Sequence, residues 1–279
     1  MISRRESYYI KPLILLESSL FDADTITHGM FARFGGYSEA PHYALNVGFG
    51  VGDNPGNVVL NRMVVQQLLG LSSLVALDQV HGDRIAVAVE GNSVMDDHIG
   101  CDAVITSSRG IGLMIQQADC QALLLHDPRK KVIAAVHCGW RGSVRNIIAK
   151  TVQEMQRVFH TDPADLLVVI SPSLGPCCAE FIHHGTELPE DFCRFLEGEN
   201  HFNFWEISRD QLVAAGVQEE HIEVSGVCTA CDSDFFSHRR SVKKGLKTCG
   251  RGCSVIALRE KGGGPLWENR CMADRITLL

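Results

Sequence analysis

The chain has 279 residues, 45% of them hydrophobic and 21% charged, an ordinary composition for a globular protein with a sizeable core. A formal charge of −7 argues against a nucleic-acid binder, whose footprint is a basic face, and no stretch approaches the roughly 18 apolar residues of a membrane span. Eleven cysteines, an odd number, do not suit a closed disulfide framework; they point to thiols, buried small hydrophobes or metal ligands in a reducing compartment.

At the N-terminus, the twin arginine Arg4-Arg5 reads as solvated surface, and the short apolar run at 12–16 is no secretory core, so a cytoplasmic protein is expected. Residues 57–70 have helical spacing, with Gly70 as a C-terminal stop. Strand-like runs follow at 85–89, 103–106, 112–115, 122–126, 132–137, 166–170 and 254–258. Several are apolar on both faces, which predicts sheets covered on both sides. A second helix is expected after Ser143 as N-cap, with Val144, Ile148, Val152, Met155 and Phe159 forming its apolar face. The glycine run within 261–266 reads as a surface loop. No linker or repeat divides the chain, so a single domain over 1–279 is expected. The mixture of hairpins and helices predicts an α+β fold: a layered α/β sandwich with mixed β-sheets covered by helices.

The segment 118–142 reads as a β-hairpin running into a helix. Asp127-Pro128-Arg129-Lys130 is a credible turn, because proline suits its second position and excludes a primed two-residue turn. Centring a four-residue loop there places Leu124 opposite Ile133, Ala122 opposite Ala135 and Cys120 opposite His137. Opposed Cβ atoms lie about 4.5–5.5 Å apart, so a cysteine and a histidine would meet at the open end of the hairpin. Cys138, one residue on, should face away. Trp140 reads as a packing residue. Gly139 and Gly142 lead into the helix, whose free N–H groups, with the forked guanidinium of Arg141, form a candidate anion site.

Four blocks occur in order: DQVHGD (78–83), ADC (118–120), VHCGWRG (136–142) and CTACDSDFFSHRR (228–240). With the stretch at 33–62, RFGGYSEAPHYALNVGFGVGDNPGNVVLNR, they resemble the YfiH-like, laccase-domain family of purine nucleoside phosphorylases. The resemblance implies that His81, Cys120 and His137 bind one metal ion per chain, zinc in most members. It implies phosphorolysis of adenosine, inosine and S-methyl-5'-thioadenosine, with adenosine deamination besides, on nucleoside and phosphate as small-molecule partners. Asn46, in the family's Leu-Asn block, and Arg239 are candidate substrate contacts beside Arg141, and Asp119 is a candidate for proton transfer or ligand orientation. The chain departs from the family at Cys138, where alanine is common, at His238, where tyrosine is usual, and after the glycine-proline pair at 175–176.

Three protein ligands leave the fourth position of tetrahedral zinc open, as in catalytic sites. A Cys/His/His set also suits copper with a weak axial ligand, and the family's oxidase name rests on copper chemistry. Among twelve histidines, however, there is no His-x-His pair of the kind a multicopper oxidase needs. A second reading makes Cys120, with His137 as base, the thiol nucleophile of an amidase acting on cell-wall precursor peptides. A third rests on Cys228-x-x-Cys231 and Cys249-x-x-x-Cys253, whose spacings are compatible with a structural Cys₄ zinc site. The sequence leaves the oligomeric state open.

Overall fold

A computed structural model describes residues 2–8, 12–88, 97–260 and 262–265. The side chains of Arg4 and Arg5, and the last residue of the run expected at 85–89, lie outside the described set.

The strands, in chain order, are β1 (Ile2–Tyr8), β2 (Pro12–Ser18), β3 (Ile26–Phe31), β4 (Ser73–Asp78), β5 (Ile85–Val87), β6 (Asp97–Ile99), β7 (Ala103–Thr106), β8 (Ile111–Gln117), β9 (Gln121–Asp127), β10 (Val132–Cys138), β11 (Leu167–Ile170), β12 (Leu196–Glu197), β13 (His201–Phe202), β14 (Ile222–Val224) and β15 (Gly252–Leu258). The helices are α1 (Pro55–Leu68), α2 (Trp140–Val144), α3 (Ile147–Phe159), α4 (His184–Glu187), α5 (Phe204–Ala214) and α6 (His238–Lys243). Seven strands form one sheet in the order β1-β2-β3-β15-β8-β4-β6, and six form another in the order β14-β11-β9-β10-β7-β5. Both sheets are mixed: β8, β4 and β6 run parallel in the first, as do β11 with β14 and β5 with β7 in the second.

The two sheets stack face to face. Val75, Leu113, Ile115 and Ile256 of the first share one core with Val104, Leu124, Ile133, Ala135 and Val169 of the second. The outer face of the second sheet (Leu123, Leu125, Ala134, Val136) packs on Ile148, Val152 and Met155 of α3 and Leu212 of α5. The outer face of the first packs on Val65 and Leu68 of α1. This is the expected layered sandwich, with helices on both outer faces. Val152 and Met155 are fully buried, and burial of such a side chain contributes about 1.5–3 kcal/mol.

Two helix boundaries show how local chemistry acts. α1 begins after Asn54, whose side chain accepts from Gly56 N, and the chain leaves it through left-handed Gly70. The second expected helix divides in two. Ser143 lies inside the short α2, Val144 is 39% exposed, and α3 starts after Asn146, whose Oδ1 accepts from Ala149 N. Asn146 adopts the left-handed conformation that separates the two helices.

The hairpin register is two residues away from the expected one. Asp127 pairs with Val132 and Ala122 with His137, so the loop is 128–131 and Cys120 lies just beyond the paired strand. The Asp127 carboxylate accepts from Arg129 N and Lys130 N, and Lys131 closes the loop with φ 56°. A two-residue shift preserves the alternation of faces, so Cys120 and His137 still point the same way.

Candidate metal centre and cleft

His137 is in phase with Ile133 and Ala135, so it projects between the sheets, whereas Cys138 joins the outer cluster with Ala134 and Val136. Cys120 ends the three-residue crossover 118–120 that carries the chain from β8 in one sheet to β9 in the other. His81 comes from the loop between β4 and β5. Ligand atoms of these three residues lie within 4.8 Å of one another, with Cys120 Sγ 3.8 Å from His81 Nε2.

A buried carboxylate, which the sequence reading did not single out, organises this centre. Asp102 is 0% exposed; its Oδ1 accepts from His137 Nδ1 (2.8 Å) and His81 N (3.0 Å), and its Oδ2 from Gly82 N (2.7 Å). Burial opposes its ionisation, but the His137 hydrogen bond and the Gly82 N–H hold its pKa below the ordinary aspartate value. A carboxylate cannot donate, so Nδ1 of His137 carries the proton and Nε2 is left for a ligand role. Arg145 Nη1 donates to His81 O at 3.0 Å. His81 and Asp119 hold positive φ angles of 58° and 85°, a conformation that costs non-glycine residues of order 1–3 kcal/mol and clusters at functional sites.

Burial alone would raise the Cys120 thiol, but the charge and hydrogen bond of His137, with His81, bring it down to about 6. Burial alone would lower His137, but the Cys120 thiolate and the Asp102 hydrogen bond raise it to about 9. The two shifts are mutual, and both favour the thiolate–imidazolium form of the pair. Cys138 behaves oppositely: burial pushes it up to about 12, its Sγ lies 3.2 Å from Ser143 Oγ, and it faces away from the centre.

The chemistry of this site fits a metal. Two imidazoles and a low-pKa thiolate form a three-donor set of the kind that would hold zinc or copper, and a buried carboxylate orients one ring as the partners of metal-bound histidines do. A Cβ on Gly139 would lie 2.9 Å from Cys120 Sγ and 3.1 Å from His81 Cδ2, so only glycine lets the backbone pass this close.

The centre lies in a cleft of about 580 Å³ whose walls include Trp140, Phe181, Phe204, Arg239 and Arg251. Trp140 both packs, edge-on to Phe181 at 6.1 Å, and lines the cleft. Arg239 faces the cleft while its N donates to Asp119 Oδ2 (2.6 Å) and its Nη2 to Glu180 O (3.0 Å). The other Asp119 oxygen accepts from Thr229 Oγ1 at 2.7 Å, so this carboxylate ties down the cleft wall. Asn46 is fully buried and is not among the lining residues. Its Oδ1 accepts from Gly48 N and Arg251 N, which fixes the backbone of a cleft arginine. Arg141 is exposed, with its guanidinium 5.0 Å from the Trp140 ring centroid, and lies outside the lining set. Arg251 was not anticipated, although its place between two glycines in CGRGC marks it as unusual. The Cys₄ set that the spacings of Cys228, Cys231, Cys249 and Cys253 would allow is not formed. Cys253 is in the core beside Val255, and Cys249 Sγ accepts from Arg251 Nη1 at 3.3 Å.

Comparison with known proteins agrees with this architecture. Residues 27–259 match the family described as multi-copper polyphenol oxidoreductase laccase. A Geobacillus stearothermophilus protein named purine nucleoside phosphorylase YlmD is 33% identical over 251 residues, covering 84% of this chain and 90% of its own. A Bacteroides thetaiotaomicron protein named purine nucleoside phosphorylase is 32% identical over 249 residues, covering 81% and 91%. The crystal structure of Bacillus licheniformis YfiH matches with a TM-score of 0.79 at 30% identity, covering 88% of this chain and 96% of that one. With its two stacked mixed sheets and its blocks around His81, Cys120 and His137, the chain belongs to the YfiH-like laccase-domain family.

Proposed function

We propose that the chain is a cytoplasmic, zinc-dependent purine nucleoside phosphorylase acting on adenosine, inosine and S-methyl-5'-thioadenosine, with adenosine deaminase activity at the same centre. One observation carries the reading. His81, Cys120 and His137 converge in a cleft that also presents two arginines and several aromatic rings. Its volume of about 580 Å³ falls within the usual range for small-molecule sites. The relatives named purine nucleoside phosphorylase support the substrate class.

In phosphorolysis a phosphate oxygen forms a bond to C1' of the sugar as the bond from C1' to the purine breaks, and the base leaves with the bonding electrons and takes up a proton. Arg239 and Arg251 supply fixed positive charge for the phosphate. The aromatic walls at Phe181, Phe204 and Trp140 offer faces for the purine. His81, Cys120 and His137 would hold the metal, which when bound supplies Lewis-acid stabilisation of developing negative charge. Asp102 keeps the His137 ring in one tautomer, so that Nε2 stays aimed at the centre. Arg141 and Asn46 act indirectly in this scheme: Arg141 against the Trp140 ring, Asn46 through the Arg251 backbone.

The test is a nucleoside-plus-phosphate assay with metal analysis, before and after chelation. Zinc-dependent release of free purine is expected, and His81→Ala, Cys120→Ala and His137→Ala should each abolish it. Full phosphorolysis by any of these variants would overturn the proposal. The Cys120–His137 ion pair favours one second reading, a thiol amidase acting on cell-wall precursor peptides. That enzyme would stay active after chelation and would yield an acyl group trapped on Cys120.

A further inference from the structure

Outside the lining of the cleft, four more thiols converge. Cys177 and Cys178 lie in the loop after β11, and Cys228 and Cys231 in the segment after β14. Their sulfur atoms all lie within 4.8 Å of one another. Cys231 Sγ is 3.6 Å from Cys177 Sγ and 3.5 Å from Cys178 Sγ, and all four are free thiols. A disulfide requires about 2.05 Å. Four thiolates about 2.3 Å from a tetrahedral zinc ion stand about 3.8 Å apart. The sulfurs therefore have the spacing of a metal site.

A second observation concerns the backbone. Cys228-Thr229-Ala230-Cys231 folds as a turn in which Cys231 N and Asp232 N donate to Cys228 O at 3.1 and 2.9 Å. Gly175 N donates to the Cys228 sulfur at 3.3 Å. Gly175 is at the start of the other loop, so this hydrogen bond already links the two halves.

We propose that Cys177, Cys178, Cys228 and Cys231 bind one zinc ion in a closed, all-thiolate structural site. Four Zn–S bonds form as the thiol protons pass to solvent, with no change in oxidation state. Such an ion would pin a loop that lines the cleft to a segment that supports it. Leu174 and Phe181, which line it, flank the first cysteine pair. Thr229, inside the second pair, holds Asp119 through its hydroxyl and accepts from Arg240 Nη1 through its carbonyl. The site is independent of the phosphorylase reading, because none of its ligands belongs to the His81 centre.

The test is the zinc content of the full chain purified with reductant from zinc-replete cells, combined with zinc X-ray absorption. Two zinc ions per chain are expected in the native protein and one in the Cys177→Ser/Cys231→Ser double variant. The Cys120→Ala protein, which keeps all four thiols, should show a sulfur-only shell, and it decides the matter if the double variant does not fold. A native protein holding a single zinc that keeps a sulfur-only shell after Cys120→Ala would count against the His81 centre and uphold this one. Unchanged zinc content in the double variant, a zinc shell of Cys120→Ala with no four-sulfur component, or a Cys177–Cys231 or Cys178–Cys231 disulfide in the reductant-purified protein would overturn it.

Discussion

The two clusters of potential ligands in this chain are built on opposite plans. The His81–Cys120–His137 centre sits at strand ends between the sheets, offers three donors, and is backed by the fully buried Asp102. The Cys177–Cys178–Cys228–Cys231 cluster sits on two loops, offers four donors, and is backed by the main-chain N–H of Gly175. Three ligands in a cleft leave room for a substrate, whereas four ligands close the shell and leave a structural role. Ligand number and the groups behind the ligands, more than cysteine content, separate an open centre from a closed one.

The largest expected effect tests the open centre. Cys120→Ala or His137→Ala should reduce purine release roughly a thousandfold, since metal stabilisation of transition-state charge is worth several kcal/mol. Initial-rate assays at saturating phosphate read this directly. Next, Asp102→Asn should weaken metal binding at this centre by about 10–100-fold, as loss of an outer-sphere carboxylate does. Titration with a competing chelator measures it, and an unchanged affinity would make Asp102 a purely structural residue.

The acid–base behaviour of the open centre sharpens the contrast further. Cys120 is lowered to about 6 and His137 raised to about 9, so between these values the metal-free site carries thiolate and imidazolium. Binding must then expel the His137 proton, and affinity should rise about tenfold per pH unit from pH 6 to pH 9. Above about 9 that contribution ends, and below about 6 protonation of Cys120 steepens the dependence. Chelator competition across this range gives the slope, and a flat profile would show that the pair is not the metal's ligand set. The smallest effect belongs to the brace. Cys231→Ser should leave turnover nearly unchanged and raise the nucleoside KM severalfold, because Thr229 and Asp119 lose a rigid support. A large fall in kcat with KM unchanged would move the cluster from positioning to chemistry.

Much of the fold could be read along the chain because local patterns are strong where burial is complete. The runs at 103–106, 122–126, 132–137 and 254–258 are apolar on both faces, and each lies in a strand whose residues are all buried. The strands at 26–31 and 73–78 are not legible in the sequence, since their apolar residues show no clean period. The hairpin slipped by two residues because Asp127 belongs to the paired strand and the loop closes through left-handed Lys131, a position that residue type does not announce. A slip of two residues preserves the alternation of faces, so Cys120 and His137 still fall on one face. At Asn146, a single left-handed residue split what periodicity describes as one helix.

The sequence by itself determined the kinds of donor available, the side of the strand on which His137 and Cys138 fall, and, through its ordered blocks, the family. Alternation along a strand and residue chemistry are local properties, so they are written locally. Tertiary structure alone decided which distant groups meet. It brought Asp102 from the start of one strand under the histidine at the end of its neighbour, and Arg251 to the cleft in place of Arg141. It also joined Cys228 and Cys231 to Cys177 and Cys178, some fifty residues earlier, and left Cys249 and Cys253 apart. These contacts depend on which strands become neighbours in two stacked sheets, and that is settled by packing the whole core, not by any one segment.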